Sequence, residues 1–136
     1  MSDLRDVRHI SISIERSPDE VYQFAKNPEN LPRWAAGLAS GIDRIGDDWV
    51  ADSPMGLVTV RFVADNELGV LDHEVLLPSG VSVYNPVRVL ANGSGSEVVF
   101  TLFRQPGTAD DAFEADARAV ARDLETLKLL LESAIG

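Results

Sequence analysis

The stretch DDAFEADARAVARDLETLKLLLESAIG, residues 110–136, decides the fold. Phe113, Ala117, Val120, Leu124, Leu127, Leu131 and Ala134 recur at intervals of three and four, the spacing that stacks side chains along one face of an α-helix. Glu114, Arg118, Arg122, Glu125, Lys128 and Glu132 cover the other side, with Glu114 and Arg118 placed as an i,i+4 pair. Thr108, three residues ahead of Asp111, reads as a capping signal. A long helix with one apolar stripe needs an apolar surface to lie on. The residues before it supply that surface as strands.

Working back from the helix, turn signals stand at Gly46-Asp47, Ser53-Pro54-Met55-Gly56, Asp65-Asn66, Pro78-Ser79-Gly80 and Asn92-Gly93-Ser94-Gly95. They separate runs rich in Val, Leu, Thr and aromatic residues, giving about six strands in an antiparallel meander. Nearer the N-terminus, Arg8–Glu15 alternates Ile10, Ile12 and Ile14 against His9, Ser11 and Ser13, the period of a half-buried strand. Ser17-Pro18-Asp19-Glu20 then opens a short helix burying Val21, Phe24 and Ala25, because Ser17 and Glu20 form a capping box around Pro18. Asn27 caps a second short helix carrying Leu31, Trp34, Ala35 and Leu38. The expected fold is α+β: a curved antiparallel sheet of about seven strands around the final helix, with two short helices after the first strand. Residues 1–136 are read as one domain.

The turns also propose a register, and register decides which polar groups face inward. A loop over Asp65–Leu68 sets Phe62 opposite Leu71 and Val60 opposite His73. A loop over Pro78–Gly80 sets Leu77 opposite Val81, Val75 opposite Val83 and His73 opposite Asn85. A turn over Asn92–Gly95 sets Val87 opposite Phe100, Asn85 opposite Leu102 and Val83 opposite Arg104. One face then collects Val58, Val60, Phe62, Leu71, Val75, Val83, Val87, Val89, Val98, Phe100 and Leu102. Its polar exceptions are His73, Asn85 and Arg104. Burying such groups without partners costs roughly 1–3 kcal/mol each, so they pair with each other, with water or with a ligand. They are the first candidates for a binding site, with Phe62, Leu71, Phe100 and Leu124 as its apolar lining. Trp34 and Met55 are candidates for its mouth. The opposite face carries Arg61 across from Asp72, read as a solvated ion pair, together with Glu74, Tyr84 and Arg88.

The composition excludes several functions. With no cysteine, the chain has no disulfide, zinc–thiolate site or thiol nucleophile. A net charge of -10 opposes binding to nucleic acid or anionic lipid. No run is long and apolar enough to span a bilayer. Met1-Ser2-Asp3-Leu4-Arg5-Asp6 has no apolar core of a signal peptide, and a cytoplasmic location is the expectation. The two histidines, His9 and His73, make no metal pattern, and no nucleophile elbow, Walker loop or dinucleotide fingerprint occurs. No metal and no cofactor is expected.

The opening strand with Ser17-Pro18-Asp19-Glu20-Val21-Tyr22, the Asn27-Pro28-Glu29-Asn30-Leu31-Pro32-Arg33-Trp34 segment, the Gly95-Ser96-Glu97 strand and the long last helix together resemble the START-like, or SRPBCC, superfamily. Within it the chain is similar to small bacterial polyketide cyclase/dehydrase-like proteins. The resemblance covers nearly the whole chain and implies a helix-grip fold with a cavity between sheet and final helix. Three functions stay open. One is binding of a small hydrophobic or aromatic metabolite, oriented by His73 and Asn85. Another is a cyclase or dehydratase using His73 as acid or base, with Asn85 or Arg104 polarising a carbonyl. The third is a protein-interaction module like the Hsp90 activators of this fold. Whether the chain is an enzyme is left open. The expected partner is a small hydrophobic ligand, with a homodimer through an edge strand as a further option.

Overall fold

The computed structural model describes residues 4–36 and 38–133, so Ala134 and the first three residues of the N-terminal segment lie outside the described residues. The element order is β1 (Val7–Ile14), α1 (Pro18–Ala25), a 3-10 turn (Pro28–Asn30), α2 (Leu31–Trp34), β2 (Gly41–Ile45), β3 (Asp48–Ser53), β4 (Gly56–Phe62), β5 (His73–Leu76), β6 (Ser82–Asn85), β7 (Val87–Asn92), β8 (Gly95–Phe103) and α3 (Asp110–Ser133). No described helix is long and apolar enough to cross a membrane.

All strand pairs are antiparallel, in the orders β2-β3-β4-β5-β6 and β1-β8-β7. The two sheets join through a bridge between Val70 and Arg88. Beside it, Leu71 N–H donates to Val87 O and Val89 N–H to Gly69 O, each at 2.8 Å. β6 and β7 are therefore two halves of one strand, broken at Pro86, and the surface is the curved sheet expected from the sequence. Proline lacks the N–H that a ladder needs on both sides, so the chain bends there. Seven strands instead of six follow the short helices for this reason.

Local sequence explains the helices. Ser17 Oγ accepts from Glu20 N–H at 3.2 Å and donates to the Glu20 carboxylate at 3.1 Å, which starts α1 at Pro18. Asn27 Oδ1 accepts from Glu29 N–H and caps the 3-10 turn that runs into α2. α3 begins at Asp110, and Thr108 contributes its carbonyl to Arg104, in place of the hydroxyl cap read from the sequence. Glu114 bonds Arg8 of β1 through two hydrogen bonds, and Arg118 adds a smaller favourable charge interaction with it.

α3 lies along β1, and three polar contacts hold its last turns there. Lys128 Nζ donates to Ser13 O, Glu15 N–H to the Glu132 carboxylate, and Arg16 Nε to Leu131 O, at 2.8, 2.9 and 2.8 Å. A guanidinium at exposed carbonyls of a helix C-terminus is favourable on charge as well. The apolar stripe buries Phe113, Ala117, Leu124, Leu127 and Leu131. Leu124, Leu127 and Leu131 share one core with Val58, Val60, Val75, Val98, Val21 and Trp34.

The expected register between β4 and β5 is off by two residues. Phe62 stands opposite His73 and Val60 opposite Val75, because the connection runs from Val63 to Asp72 instead of over four residues. Asn66 organises that longer loop. Its Oδ1 accepts from the N–H groups of Leu68 and Val70, and its Nδ2 donates to Ala64 O and Val70 O. A slip of two keeps every side chain on its face. The other pairings, Leu77 with Val81, His73 with Asn85 and Val87 with Phe100, are as expected. The pairs Asn85–Leu102 and Val83–Arg104 do not form among the described residues, since the β7–β8 ladder stops where Thr101 N–H donates to Pro86 O.

Candidate functional site

The hairpin opens at Leu71 and Val87. Leu71 N–H reaches Val87 O, but the reciprocal bond is replaced by two side chains on opposite faces of the strand. Val87 N–H donates to Asp72 Oδ1 at 2.9 Å, and Leu71 O lies 3.1 Å from His73 Nδ1. Adjacent residues thus satisfy both groups that the irregular strand leaves free.

Asp72, on the outer side, is 3 % exposed. Its carboxylate accepts from Arg88 Nε at 2.8 Å, Arg88 Nη2 at 2.7 Å, and the Tyr84 hydroxyl at 2.9 Å, besides Val87 N–H. This corrects the expected solvated pair with Arg61, which bonds Asp48 instead. Burial by itself would raise the Asp72 pKa. The hydrogen bonds from Arg88, Val87 and Tyr84 and the charge of Arg88 outweigh burial and hold it below the usual carboxylate range.

His73, on the inner side, is 4 % exposed. A carbonyl only accepts, so Nδ1 carries the proton, and Nε2 is the acceptor facing Asn85 Nδ2 at 3.4 Å. The ring stacks at a tilt on Phe62, centroids 5.1 Å apart, and meets Phe100 edge-on at 6.5 Å. Burial pushes the His73 pKa down, against smaller opposing effects of Leu71 O and Asp72. The imidazole stays neutral at pH 7. A group whose folded pKa lies below its unfolded value adds stability that is lost as pH falls from 6.5 toward the folded value. The expected slope in that window approaches about 1.4 kcal/mol per pH unit from this one group. Urea unfolding at pH 7.5 and 5.5 checks it: the wild type loses more stability than His73→Gln. Equal losses would show that His73 titrates freely.

Many inward residues on or beside the other strands, though not Phe62 or Phe100, are buried, among them Val58, Val60, Leu71, Val75, Val87, Val89 and Val98. Along β6 they are not. Val83 and Asn85 are half-buried, and Val81 is 50 % exposed. Beyond Pro86, β6 keeps only β5 as a ladder neighbour, while the end of β8 pairs with β1 through Leu102 with Arg8 and Phe103 with Val7. The hydrogen-bond ladder forks there, beside the half-buried Asn85.

No protein-family model matches the chain, and no curated protein matches it. Solved structures do. The protein XoxI from Bacillus cereus superposes with a TM-score of 0.75 at 16% identity, over 96% of this chain and 98% of that one. The Aha1 dimer from Colwellia psychrerythraea gives 0.75 at 18%, over 96% and 99%. A START superfamily protein from Mycobacterium smegmatis gives 0.67 at 11%, over 94% and 98%. The fold is START-like.

Of the residues the sequence singled out, this START-like frame brings together His73, Asn85, Phe62 and Phe100, and buries Leu71 and Leu124 in the adjoining core. Trp34 is also part of that core, 7 % exposed, and its buried Nε1–H has no hydrogen-bond partner among the described residues. Met55 is 54 % exposed in the β3–β4 turn. Arg104 does not join the inward face. It lies past the end of β8, where it binds Thr108 O at 2.9 and 2.6 Å, Asp110 at 2.7 Å and Asp6 at 3.4 Å. Grooves of about 360 and 480 Å³ flank it on the surface. The larger is a poor candidate site, because Asp6, Arg8, Arg104, Asp110 and Glu114 are already ion-paired with one another there. Sequence reading missed Asp72 as a buried centre. Pro86, fourteen residues on in a run otherwise read as one strand, was its available signal.

Proposed function

We propose that this START-like chain, acting as one domain, binds a small hydrophobic or aromatic metabolite between the sheet and α3. The observation that carries this is the His73–Asn85 pair, set in an apolar layer between Phe62 and Phe100 and beside the fork in the sheet. Aromatic walls supply affinity through burial, and a few fixed polar atoms supply orientation. One N–H of Asn85 Nδ2 faces His73 Nε2, which leaves the other to donate to a ligand oxygen, and the fork gives a ligand its way in. The lowered His73 pKa favours binding over acid–base chemistry, since a neutral, weakly basic imidazole with Nδ1 committed to Leu71 is a poor general base. A net charge of -10 fits neither nucleic acid nor anionic membrane as partner.

Calorimetric titration with 1-tetralone, a small aromatic ketone, tests the reading. The expected result is saturable binding that Asn85→Leu weakens about tenfold, the effect of one lost polar contact, and that His73→Phe also weakens by releasing the Asn85 amide from its fixed orientation. Binding indifferent to both substitutions would contradict it, as would no binding at all.

A further inference from the structure

The Trp34 indole is the one buried side-chain polar group among the described residues that lacks a partner. Its ring sits in the core shared by Leu124 and Leu127 of α3 and by Val58 and Val60 of the sheet, between the two surfaces where the proposed function places the ligand. Both ring nitrogens of His73 on the inner face are spoken for: Nδ1 faces Leu71 O, and Nε2 faces Asn85 Nδ2. The other buried polar residues among the described ones are satisfied as well, Asp72 by four donors and Ser96 by Arg16 O. A donor with no acceptor in such a setting marks a place where an acceptor is supplied from outside the chain.

We propose that Trp34 Nε1–H is the hydrogen-bond donor to an oxygen of the bound ligand. The inference rests on the binding reading above and narrows it: the ligand is an apolar or aromatic molecule carrying a carbonyl or ether-type oxygen on the part that enters the core. An indole N–H only donates, so a group that can only donate is not recognised there. Pure hydrocarbons lose this contact and leave the donor unsatisfied. α2 is four residues long and contacts both α3 and β2, so it carries Trp34 to the seam where sheet and helix meet.

A matched pair of probes tests this. 1-Tetralone and tetralin share a fused-ring skeleton and differ by one carbonyl oxygen. Affinities of both are measured by calorimetry on the wild type and on Trp34→Phe. The expected result is that the preference for the ketone, taken as the ratio of the two dissociation constants, falls about tenfold in Trp34→Phe. Both probes lose alike whatever the smaller ring costs in packing, so the ratio isolates the oxygen. A second readout needs no change at Trp34. In ¹H–¹⁵N spectra the two indole signals are assigned with Trp49→Phe, and the Trp34 proton moves downfield with 1-tetralone but not with tetralin. If both probes shift the ring signals of Phe62 and Phe100 while the Trp34 indole proton and the ratio stay unchanged, this inference fails and the binding reading stands. If neither probe shifts those rings, the binding reading fails and this inference falls with it. An indole proton already bonded to a trapped water that no probe displaces would also overturn it.

Discussion

Asp72→Ala is expected to destabilise the protein by about 3–4 kcal/mol, among the largest effects of any single polar substitution in it. Four donors converge on that carboxylate, and one of them, Val87 N–H, has no other acceptor at the broken ladder. Removing the acid leaves a buried amide unsatisfied at the joint of the two sheets. The neighbours should follow in order of what they leave behind. Arg88→Ala leaves an uncompensated buried carboxylate and costs less than Asp72→Ala, because Val87 and Tyr84 still donate to it. Tyr84→Phe removes one hydroxyl and costs about 1 kcal/mol. pH dependence adds a check on sign. The Asp72 pKa is lowered from 3.8, so its contribution is complete above that value and is lost as pH falls through the folded value. Urea unfolding of the three variants at pH 7 reads the series. An Asp72→Ala protein within 0.5 kcal/mol of wild type, roughly the scatter for ordinary surface positions, would contradict the role assigned here.

Gly69→Ala is expected to be as damaging, for a steric reason. Gly69 has φ +73°, and a Cβ there would lie 2.4 Å from Val89 O, a backbone atom that cannot swing away. That approach is what lets Val89 N–H reach Gly69 O at 2.8 Å and helps tie the two sheets together. Gly46 and Gly93 serve as controls, since both have positive φ and open space around the position of a Cβ. Alanine at either adds only the conformational cost of about 1 kcal/mol. At Gly69 the clash comes on top, for a total on the order of 3 kcal/mol or more and a fall in Tm of about 10 °C. Thermal unfolding of the three alanine variants separates strain from clash. Equal losses at all three would show that the close approach to Val89 carries no energy.

These two positions also show where sequence reading succeeds and where it stops. The stripe on α3, the alternation in β1 and the capping box at Ser17 were legible because each depends on residues within one or two turns of one another. The facing of His73 and Asn85 was legible for a similar reason: Pro78-Ser79-Gly80 fixes a tight turn, and a tight turn fixes register. The Val63–Asp72 connection was not, because Asn66 folds it through four hydrogen bonds to its own backbone neighbours, and such a loop leaves no periodic trace. The inward face survived that error only because the slip was even. Asp72 was misassigned because its true partner, Arg88, depends on how the chain bends at Pro86, and a buried carboxylate looks no different from a solvated one in the sequence. Arg104 was placed inward by extending a ladder past the point where Pro86 ends it.

The most direct measurement of the proposed function is an NMR titration of the wild-type protein with 1-tetralone, following the ring signals of Phe62, His73 and Phe100 and the side-chain amide of Asn85. The expected result is saturable shifts concentrated on these four residues, with the Arg8–Phe113–Arg104 groove unmoved. Shifts confined to that groove, or none at the four residues, would contradict a ligand site between the sheet and α3.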